Sequence, residues 1–183
     1  CIRDRAIPLL EGYLRNNPDD GMALNLLGSA YLSQGKTARA TQFLQEAIKK
    51  QDRPEFRTAL GLSLLGNGKT EGAITELEAA WRQDPGQVSA GMSLAQLYAQ
   101  QNRLPQALTL TRDMVKRYPA HAGLQHQLGD MLLRSGQPAE ARKAYEKALS
   151  LNPKMPAPRL QLARMDIEAN QIAAAEQRLT ELL

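Results

Sequence analysis

Apolar residues recur at helical spacing in residues 122–155, on both sides of a short polar turn. The two apolar runs are Leu128, Leu132 and Leu133 before the turn, and Ala141, Tyr145, Ala148 and Leu149 after it. In the turn, Gly136 suits a left-handed helix end and Pro138 suits the first position of the next helix. Pro153 ends the second helix, because the residue before a proline avoids helical angles. The stretch therefore predicts two amphipathic helices joined by a tight turn.

The same unit recurs along the chain. An alanine position repeats every 33 or 34 residues, at Ala6, Ala40, Ala73, Ala107, Ala141 and Ala175. The turn position holds only the two residue types that tolerate left-handed angles, at Gly35, Gly68, Asn102, Gly136 and Asn170. A position in the first helix holds only small residues, which let two helices approach closely, at Gly28, Gly61, Ala95, Gly129 and Ala163. The spacing predicts eleven helices, one alone and then five pairs, with no β-strand.

The repeat limits divide residues 1–183 into a half repeat and five further units of a single array. Their approximate bounds are 1–20, 21–53, 54–87, 88–121, 122–155 and 156–183. Because the pattern is cut at both ends, we expect the chain to be a fragment of a longer array. Solenoids usually need polar terminal repeats to stay soluble alone. We therefore expect end-to-end association of copies through the apolar terminal residues Ile7, Leu10, Leu179, Leu182 and Leu183.

Two groups of residues carry a resemblance to a known repeat family. One is L-x2-L-G-x2-Y at 24–31 with A-x3-L at 40–44, and the other is L-G-x2-L at 128–132 with A-x3-Y at 141–145 and Pro153. They resemble the tetratricopeptide (TPR) repeat, W-x2-L-G-x2-Y, A-x3-F and P over 34 residues. The resemblance covers the whole chain and implies an all-α, right-handed solenoid of antiparallel helix pairs. Asp166 departs from it, at a position where Tyr or Leu is usual, and predicts a half-buried carboxylate or an altered helix interface.

The amino-acid sequence of the repeats also resembles a narrower group, the TPR lipoproteins of bacterial exosortase (PEP-CTERM) and exopolysaccharide systems. That resemblance implies a periplasmic or membrane-anchored lipoprotein, with a cytoplasmic protein as the alternative. Cys1 stands where a mature lipoprotein begins, but we favour the simpler interpretation that it is the first residue of an excised fragment, because it directly precedes a helix rather than a linker.

Composition supports helices and narrows the classes of partner. The chain is 43% hydrophobic but only 4% aromatic, so its core is built from leucine and alanine, which favour helices over sheets. Lys and Arg total 23 against 19 Asp and Glu, and the net charge of +4 is spread out rather than clustered. Nucleic-acid binding needs a basic patch, so we expect no nucleic-acid partner. No apolar run approaches the roughly 18 residues of a membrane span, so we expect no direct span.

The sequence also lacks the usual motifs of catalysis and metal binding. The two histidines, His121 and His126, have no cysteine near them, and two ligands do not make a zinc site. The glycines fall at helix ends and helix contacts rather than in a phosphate-binding loop. No nucleophile elbow or His-Glu-x-x-His motif is present. We therefore expect no catalytic residue, metal or cofactor, and a protein that is not an enzyme.

What a stack of helix pairs offers is a long groove lined by the first helices. Carried over from TPR proteins, the groove positions predicted to contact a partner are Asn25, Ser29, Thr58, Leu62, Met92, Gln96, His126, Asp130, Leu160 and Arg164. His126 and Asp130 share one helix face, and Gln96 and Arg164 occupy the position of Asp130 in the repeats before and after it. They predict a polar row across three repeats. The lysine of the carboxylate clamp in chaperone-binding TPR domains has no counterpart here, so that specificity is not predicted.

Two functions fit this surface. The first is a non-catalytic scaffold that binds a peptide or a partner subunit along the groove, in bacterial exopolysaccharide or protein-sorting assembly. The alternative is a regulatory or targeting TPR segment of a larger enzyme, such as a glycosyltransferase. Each groove residue is also open to the simpler interpretation of a solvated side chain. The sequence beyond residues 1 and 183 would separate the two functions.

Overall fold

The computed structural model describes the backbone of residues 2–182 and the side chains of residues 6–182. Over these residues the chain forms eleven helices and no strand, as the repeat spacing predicts. Their bounds are α1 Ile2–Asn16, α2 Gly21–Ser33, α3 Thr37–Lys50, α4 Pro54–Gly66, α5 Thr70–Gln83, α6 Val88–Gln100, α7 Leu104–Arg117, α8 Ala122–Arg134, α9 Pro138–Leu151, α10 Pro156–Glu168 and α11 Ile172–Thr180. Among the described helices, none has the length and apolar character to cross a bilayer.

The helices are grouped into two compact units, residues 1–97 and 98–183. In the first unit α2 packs on α3 and α4 on α5, and α3 also contacts α4. In the second unit α8 packs on α9 and α10 on α11, and α9 also contacts α10. Within each unit, these two helix pairs therefore contact each other in sequence order. The exact repeat limits given above stay predictions.

The turns within the helix pairs have the left-handed conformation predicted from their residue types. The values of φ are 71° to 73° at Gly35, Gly68 and Gly136, 61° at Asn102 and 58° at Asn170. At Gly136 the amide donates to the carbonyl of Leu133 at 3.1 Å, and the next amide, of Gln137, donates to Leu132 at 2.9 Å. These bonds satisfy carbonyls that the end of α8 would otherwise leave open.

The small residues of the first helices lie where the two helices of a pair are closest. A Cβ added to Gly28 would lie 2.6 Å from Cγ of Leu44, and one added to Gly129 would lie 2.6 Å from Cδ1 of Tyr145. Both large side chains are fully buried. Glycine is thus required at these positions because a bulky partner from the second helix fills the space above it.

Two loop residues form helix caps. Asp20 accepts hydrogen bonds from the amides of Met22 and Ala23, both at 3.0 Å, at the start of α2. His121 is exposed, and its Nδ1 accepts from the amide of Leu124 at 3.2 Å at the start of α8. The structural role of His121 is therefore to satisfy a free backbone donor.

Asp166 is more buried than the sequence suggests. Its side chain is 1% exposed and lies between α9 and α11. Arg142 Nη1 of α9 donates to Asp166 Oδ1 at 2.5 Å, and Arg178 Nε of α11 donates to Oδ2 at 2.6 Å. Each carboxylate oxygen thus has its own cation, which is the condition under which burial of a charge is tolerated.

The terminal apolar residues are only partly available to a second copy. Ile7 is buried within the chain, and Leu10 and Leu182 are half-buried. Leu179 is exposed, whereas Leu183 lies outside the described residues. End-to-end association stays a prediction, and Leu179 is the described residue best placed to take part in it.

Replacing Gly136 by valine is expected to lower the free energy of unfolding by about 1–2 kcal/mol, because a side chain disfavours its left-handed angles. A Cβ at this position would meet no atom within 4 Å, so the cost is conformational and not steric. Urea unfolding monitored by circular dichroism measures it. The matched control is Gly136→Asn, which should lose much less, since asparagine occupies two sister turns. Equal losses for both variants would contradict the assignment.

Replacing Asp166 by asparagine is expected to lower the free energy of unfolding at pH 7 by about 1.5–3 kcal/mol, because two hydrogen bonds to a charged group lose their charge. Asp113→Asn, which changes an exposed carboxylate on α7, is the control and should have little effect. Urea unfolding of both variants at pH 7 measures the difference.

The same pair of proteins tests the pH dependence. Burial raises the pKa of Asp166, but the hydrogen bonds from Arg142 and Arg178 outweigh burial and hold the pKa below its ordinary value. A lowered pKa in the folded state stabilises the protein above the unfolded value of about 3.9, and this stabilisation is lost as the pH falls below it. Between pH 5 and pH 3 the parent should therefore lose more stability than Asp166→Asn. Parallel losses would show that Asp166 is not held ionised by its arginines.

Candidate partner-binding site

The ten predicted groove residues are divided between the two units. The first unit contains Asn25, Ser29, Thr58, Leu62, Met92 and Gln96, and the second contains His126, Asp130, Leu160 and Arg164. The polar row predicted through Gln96, Asp130 and Arg164 includes residues of both units, and it stays a prediction.

In the first unit the predicted residues differ in how far they reach solvent. Gln96 is exposed, whereas Ser29, Leu62 and Met92 are half-buried. Thr58 is buried, with 6% of its surface exposed, and its hydroxyl donates to the carbonyl of Pro54 at 2.8 Å. Thr58 therefore faces inward, with its hydrogen-bonding group already used.

Asn25 has a different environment. It is half-buried on α2, and its Oδ1 is shielded from solvent without a hydrogen-bond donor in the described part of the chain. An acceptor that is buried without a donor costs free energy. Asn25 is thus the predicted residue of this unit that would gain most from an incoming N–H group.

In the second unit three of the four predicted residues surround one side chain, Tyr145. The Tyr145 hydroxyl donates to Asp130 Oδ1 at 2.8 Å. His126 Nε2 lies 3.7 Å from the same oxygen, and the imidazole and phenol ring centroids are 5.9 Å apart. Arg164 lies close enough to Tyr145 for its charge to act on the phenol. Residues of α8, α9 and α10 thus form one cluster, which we call the Tyr145 cluster: His126, Asp130, Tyr145 and Arg164.

Tyr145 is the member of this cluster that sequence reasoning assigned to the core alone. Its ring does fill the core, because Gly129 leaves room for it. Its hydroxyl, however, reaches Asp130 on α8, which is one of the predicted groove positions. Burial and then the hydrogen bond to Asp130 raise the pKa of Tyr145, so the phenol remains a neutral donor. The available signal was a tyrosine where Leu44 and Leu77 stand in other repeats, since a buried tyrosine needs a partner for its hydroxyl.

Arg164 lies between two apolar residues, Leu160 and Ile167, along one face of α10, and we call these three residues the α10 stripe. Leu160, Arg164 and Ile167 are spaced four and three residues apart and so share one helix face. Leu160 is 48% exposed and Ile167 is 52% exposed. Ile167 was not among the predicted residues, because sequence reasoning stopped one turn earlier along the helix. The α10 stripe places two accessible apolar side chains beside the Tyr145 cluster.

Arg164 itself is paired on its own helix. Its Nε donates to Glu168 Oε1 at 2.9 Å, and both side chains are well exposed. The hydrogen bond to Glu168 raises the pKa of Arg164, which is therefore charged at every ordinary pH. The arrangement thus offers a carboxylate, an imidazole, an ion pair and two apolar side chains on one side of the unit. It can hold a ligand by hydrogen bonds and apolar contact.

Two curated relatives match parts of the chain. A stretch of 111 residues is 30% identical to the tetratricopeptide repeat domain-containing protein PYG7, chloroplastic, of Arabidopsis thaliana, covering 58% of this chain and 37% of that protein. A stretch of 152 residues is 28% identical to cellulose synthase operon protein C of Pseudomonas fluorescens (strain SBW25), covering 77% of this chain and 12% of that protein. The chain thus spans about a third of the length of the first relative and about an eighth of the second.

Solved structures match most of the chain. PilF of Pseudomonas aeruginosa superposes with a TM-score of 0.81 at 22% identity, covering 100% of this chain and 77% of PilF. MamA of Desulfovibrio magneticus RS-1 gives 0.77 at 20% identity, covering 90% and 93%. YrrB, a TPR protein with an unusual peptide-binding site, gives 0.70 at 17% identity, covering 85% and 81%. At these identities the likeness shows the fold, and it confirms the predicted all-α TPR architecture.

Family profiles cover nearly the whole chain. One described as tetratricopeptide repeat matches residues 64–128 and 132–183, and a second with the same description matches residues 3–54. These matches agree with the helix pairs, the left-handed turns and the small residues at the helix contacts. The chain therefore belongs to the tetratricopeptide repeat family.

Proposed function

We propose that this protein is a non-catalytic scaffold that binds a peptide or an exposed segment of a partner protein on its first-helix face. The observation that carries the proposal is the Tyr145 cluster beside Leu160 and Ile167, where polar groups and exposed apolar side chains occur together. Such a mixture suits recognition, because apolar contacts provide affinity and polar groups determine orientation. TPR proteins are generally scaffolds of this kind, and the solved relative YrrB has a peptide-binding site.

The first unit supports the same proposal through Asn25. Its unsatisfied Oδ1 is an acceptor that a backbone N–H of a bound peptide would complete. Met22 and Leu26 on the same helix are exposed and provide apolar surface. Binding a segment there would remove an uncompensated polar group as well as apolar surface from water.

We further propose that this scaffold belongs to an assembly that produces or exports a polysaccharide. The likeness to cellulose synthase operon protein C, over 77% of this chain, supports it. The other function considered above, a TPR segment of a larger enzyme, stays open as the alternative. Co-purification of the full-length protein with polysaccharide-synthesis proteins would favour the assembly role, and a catalytic domain in the same polypeptide would favour the alternative.

The scaffold proposal predicts that a partner contacts Leu160 and Arg164. A photo-crosslinking amino acid placed at Leu160 of the full-length protein should capture a partner in its native host. The matched position is Lys147, which is exposed on α9. Leu160→Asp and Arg164→Ala should then abolish co-purification of that partner, whereas Lys147→Glu should retain it.

Unfolding measurements make this test specific for binding. Surface substitutions of this kind change stability by only about 0.5 kcal/mol, so melting temperatures should be nearly unchanged. If both groove variants retain the partner, the first-helix face of residues 98–183 is not the binding surface. Capture from Lys147 but not from Leu160 would move the site to the second helices.

A further inference from the structure

The chemistry of the Tyr145 cluster specifies one feature of the bound segment. Resting on the scaffold function proposed above, we propose that Asp130 receives a single arginine or lysine side chain of the bound peptide, with apolar peptide residues on Leu160 and Ile167. The proposal depends on three properties of Asp130: its carboxylate is oriented, uncompensated and accessible.

The orientation comes from Tyr145. The phenol ring is fully buried and packs against Gly129, so the hydroxyl has little freedom. Its hydrogen bond to Asp130 Oδ1, at 2.8 Å, occupies one carboxylate oxygen from the core side. Oδ2 has no hydrogen-bond donor among the described residues. A carboxylate oriented before binding loses less conformational entropy when it meets a ligand.

The charge of Asp130 is not balanced within the described chain. The basic group within 4.0 Å is His126, whose Nε2 lies 3.7 Å from Oδ1, beyond hydrogen-bond length. Arg164, which carries the guanidinium of the cluster, is hydrogen-bonded to Glu168 instead of Asp130. By contrast, Asp166 in the same unit has two arginine partners. Asp130 is therefore a carboxylate with a vacant place for a cation.

Accessibility completes the argument. The Asp130 side chain is 34% exposed, so it is partly accessible to a ligand and partly shielded from water. The His126 ring, 5.9 Å from the Tyr145 ring, provides a flat wall on which a guanidinium can stack. Leu160 and Ile167 are exposed on α10, where they can contact apolar residues that flank the basic residue of the peptide. The Tyr145 cluster thus favours one basic side chain within an apolar segment.

The overall charge argues against a polybasic ligand. The whole excess of +4 falls in residues 98–183, whereas residues 1–97 carry equal numbers of acidic and basic side chains. A strongly basic peptide would be repelled by this unit as a whole. An acidic peptide meets a different obstacle, because Arg164 is already engaged by Glu168. A peptide with one basic residue can pair with Asp130 and is repelled least by the net positive charge of residues 98–183.

The test uses residues 1–183 and a displayed library of random decapeptides as the probe. Selected peptides are resynthesised with each basic residue replaced by glutamine, and dissociation constants are measured by fluorescence anisotropy. We expect the selected peptides to share one arginine or lysine, and its replacement to weaken binding to the parent by about tenfold or more. On Asp130→Asn, which keeps an acceptor for Tyr145, the same replacement should change binding by less than about twofold.

Further variants separate charge from folding. Asp113→Asn removes an exposed carboxylate from α7 of the same unit and should leave the preference for the basic residue intact. His126→Lys places a cation of the protein beside Asp130 and should weaken binding of the basic peptide as Asp130→Asn does. Tyr145→Phe, which loses the hydroxyl that orients Asp130, should reduce the preference while the far-ultraviolet spectrum is retained.

The outcomes distinguish this inference from the scaffold function. Peptides that bind the parent and Asp130→Asn equally, or that bind without a basic residue, would overturn the role of Asp130 and leave the scaffold proposal standing. A library that yields no binder in the micromolar range would overturn the peptide-binding proposal itself, and this inference with it.

Discussion

The rest of the structure depends on a close contact between the two helices of the pairs α2–α3, α4–α5 and α8–α9. In each of these pairs a glycine of the first helix lies under a large side chain of the second, and a Cβ on that glycine would overlap with the side chain. Gly28 lies under Leu44, Gly61 under Leu77, and Gly129 under Tyr145. This contact determines how near the helices lie, and so which side chains of the first helix are left facing outward.

In the second unit the same contact also produces the candidate site. A leucine above Gly129 would fill the core but would have no polar group to bond Asp130. A tyrosine fills the same space and carries a hydroxyl to the far side, where it orients Asp130. A single tyrosine at a packing position thus links the packing of the core to the orientation of Asp130.

The repeat architecture could be predicted from the sequence because its signals are local and periodic. Gly136 and Asn170 belong to the two residue types that tolerate left-handed turns, and alanines 33 or 34 residues apart give the register. The candidate site was predicted only in part. Thr58 shares a repeat position with Asn25 but is buried, because a threonine hydroxyl can be satisfied by the carbonyl four residues earlier. The direction of a tyrosine hydroxyl depends on contacts between helices, which periodicity does not describe.

Two repeat positions in α8 and α10 show how the same backbone geometry carries different side chains. His126 and Leu160 occupy equivalent repeat positions, as do Asp130 and Arg164, so the backbone offers the same places with different side chains. The charge at the second position changes sign between the two repeats. A ligand that lies across them in one direction meets a carboxylate and then a guanidinium paired with Glu168. Reversing that ligand would place its basic group against Arg164, and like-charge contact disfavours this arrangement. In the binding mode that we propose, the side chains would therefore determine the direction in which a partner lies, while the helix pairs supply the spacing.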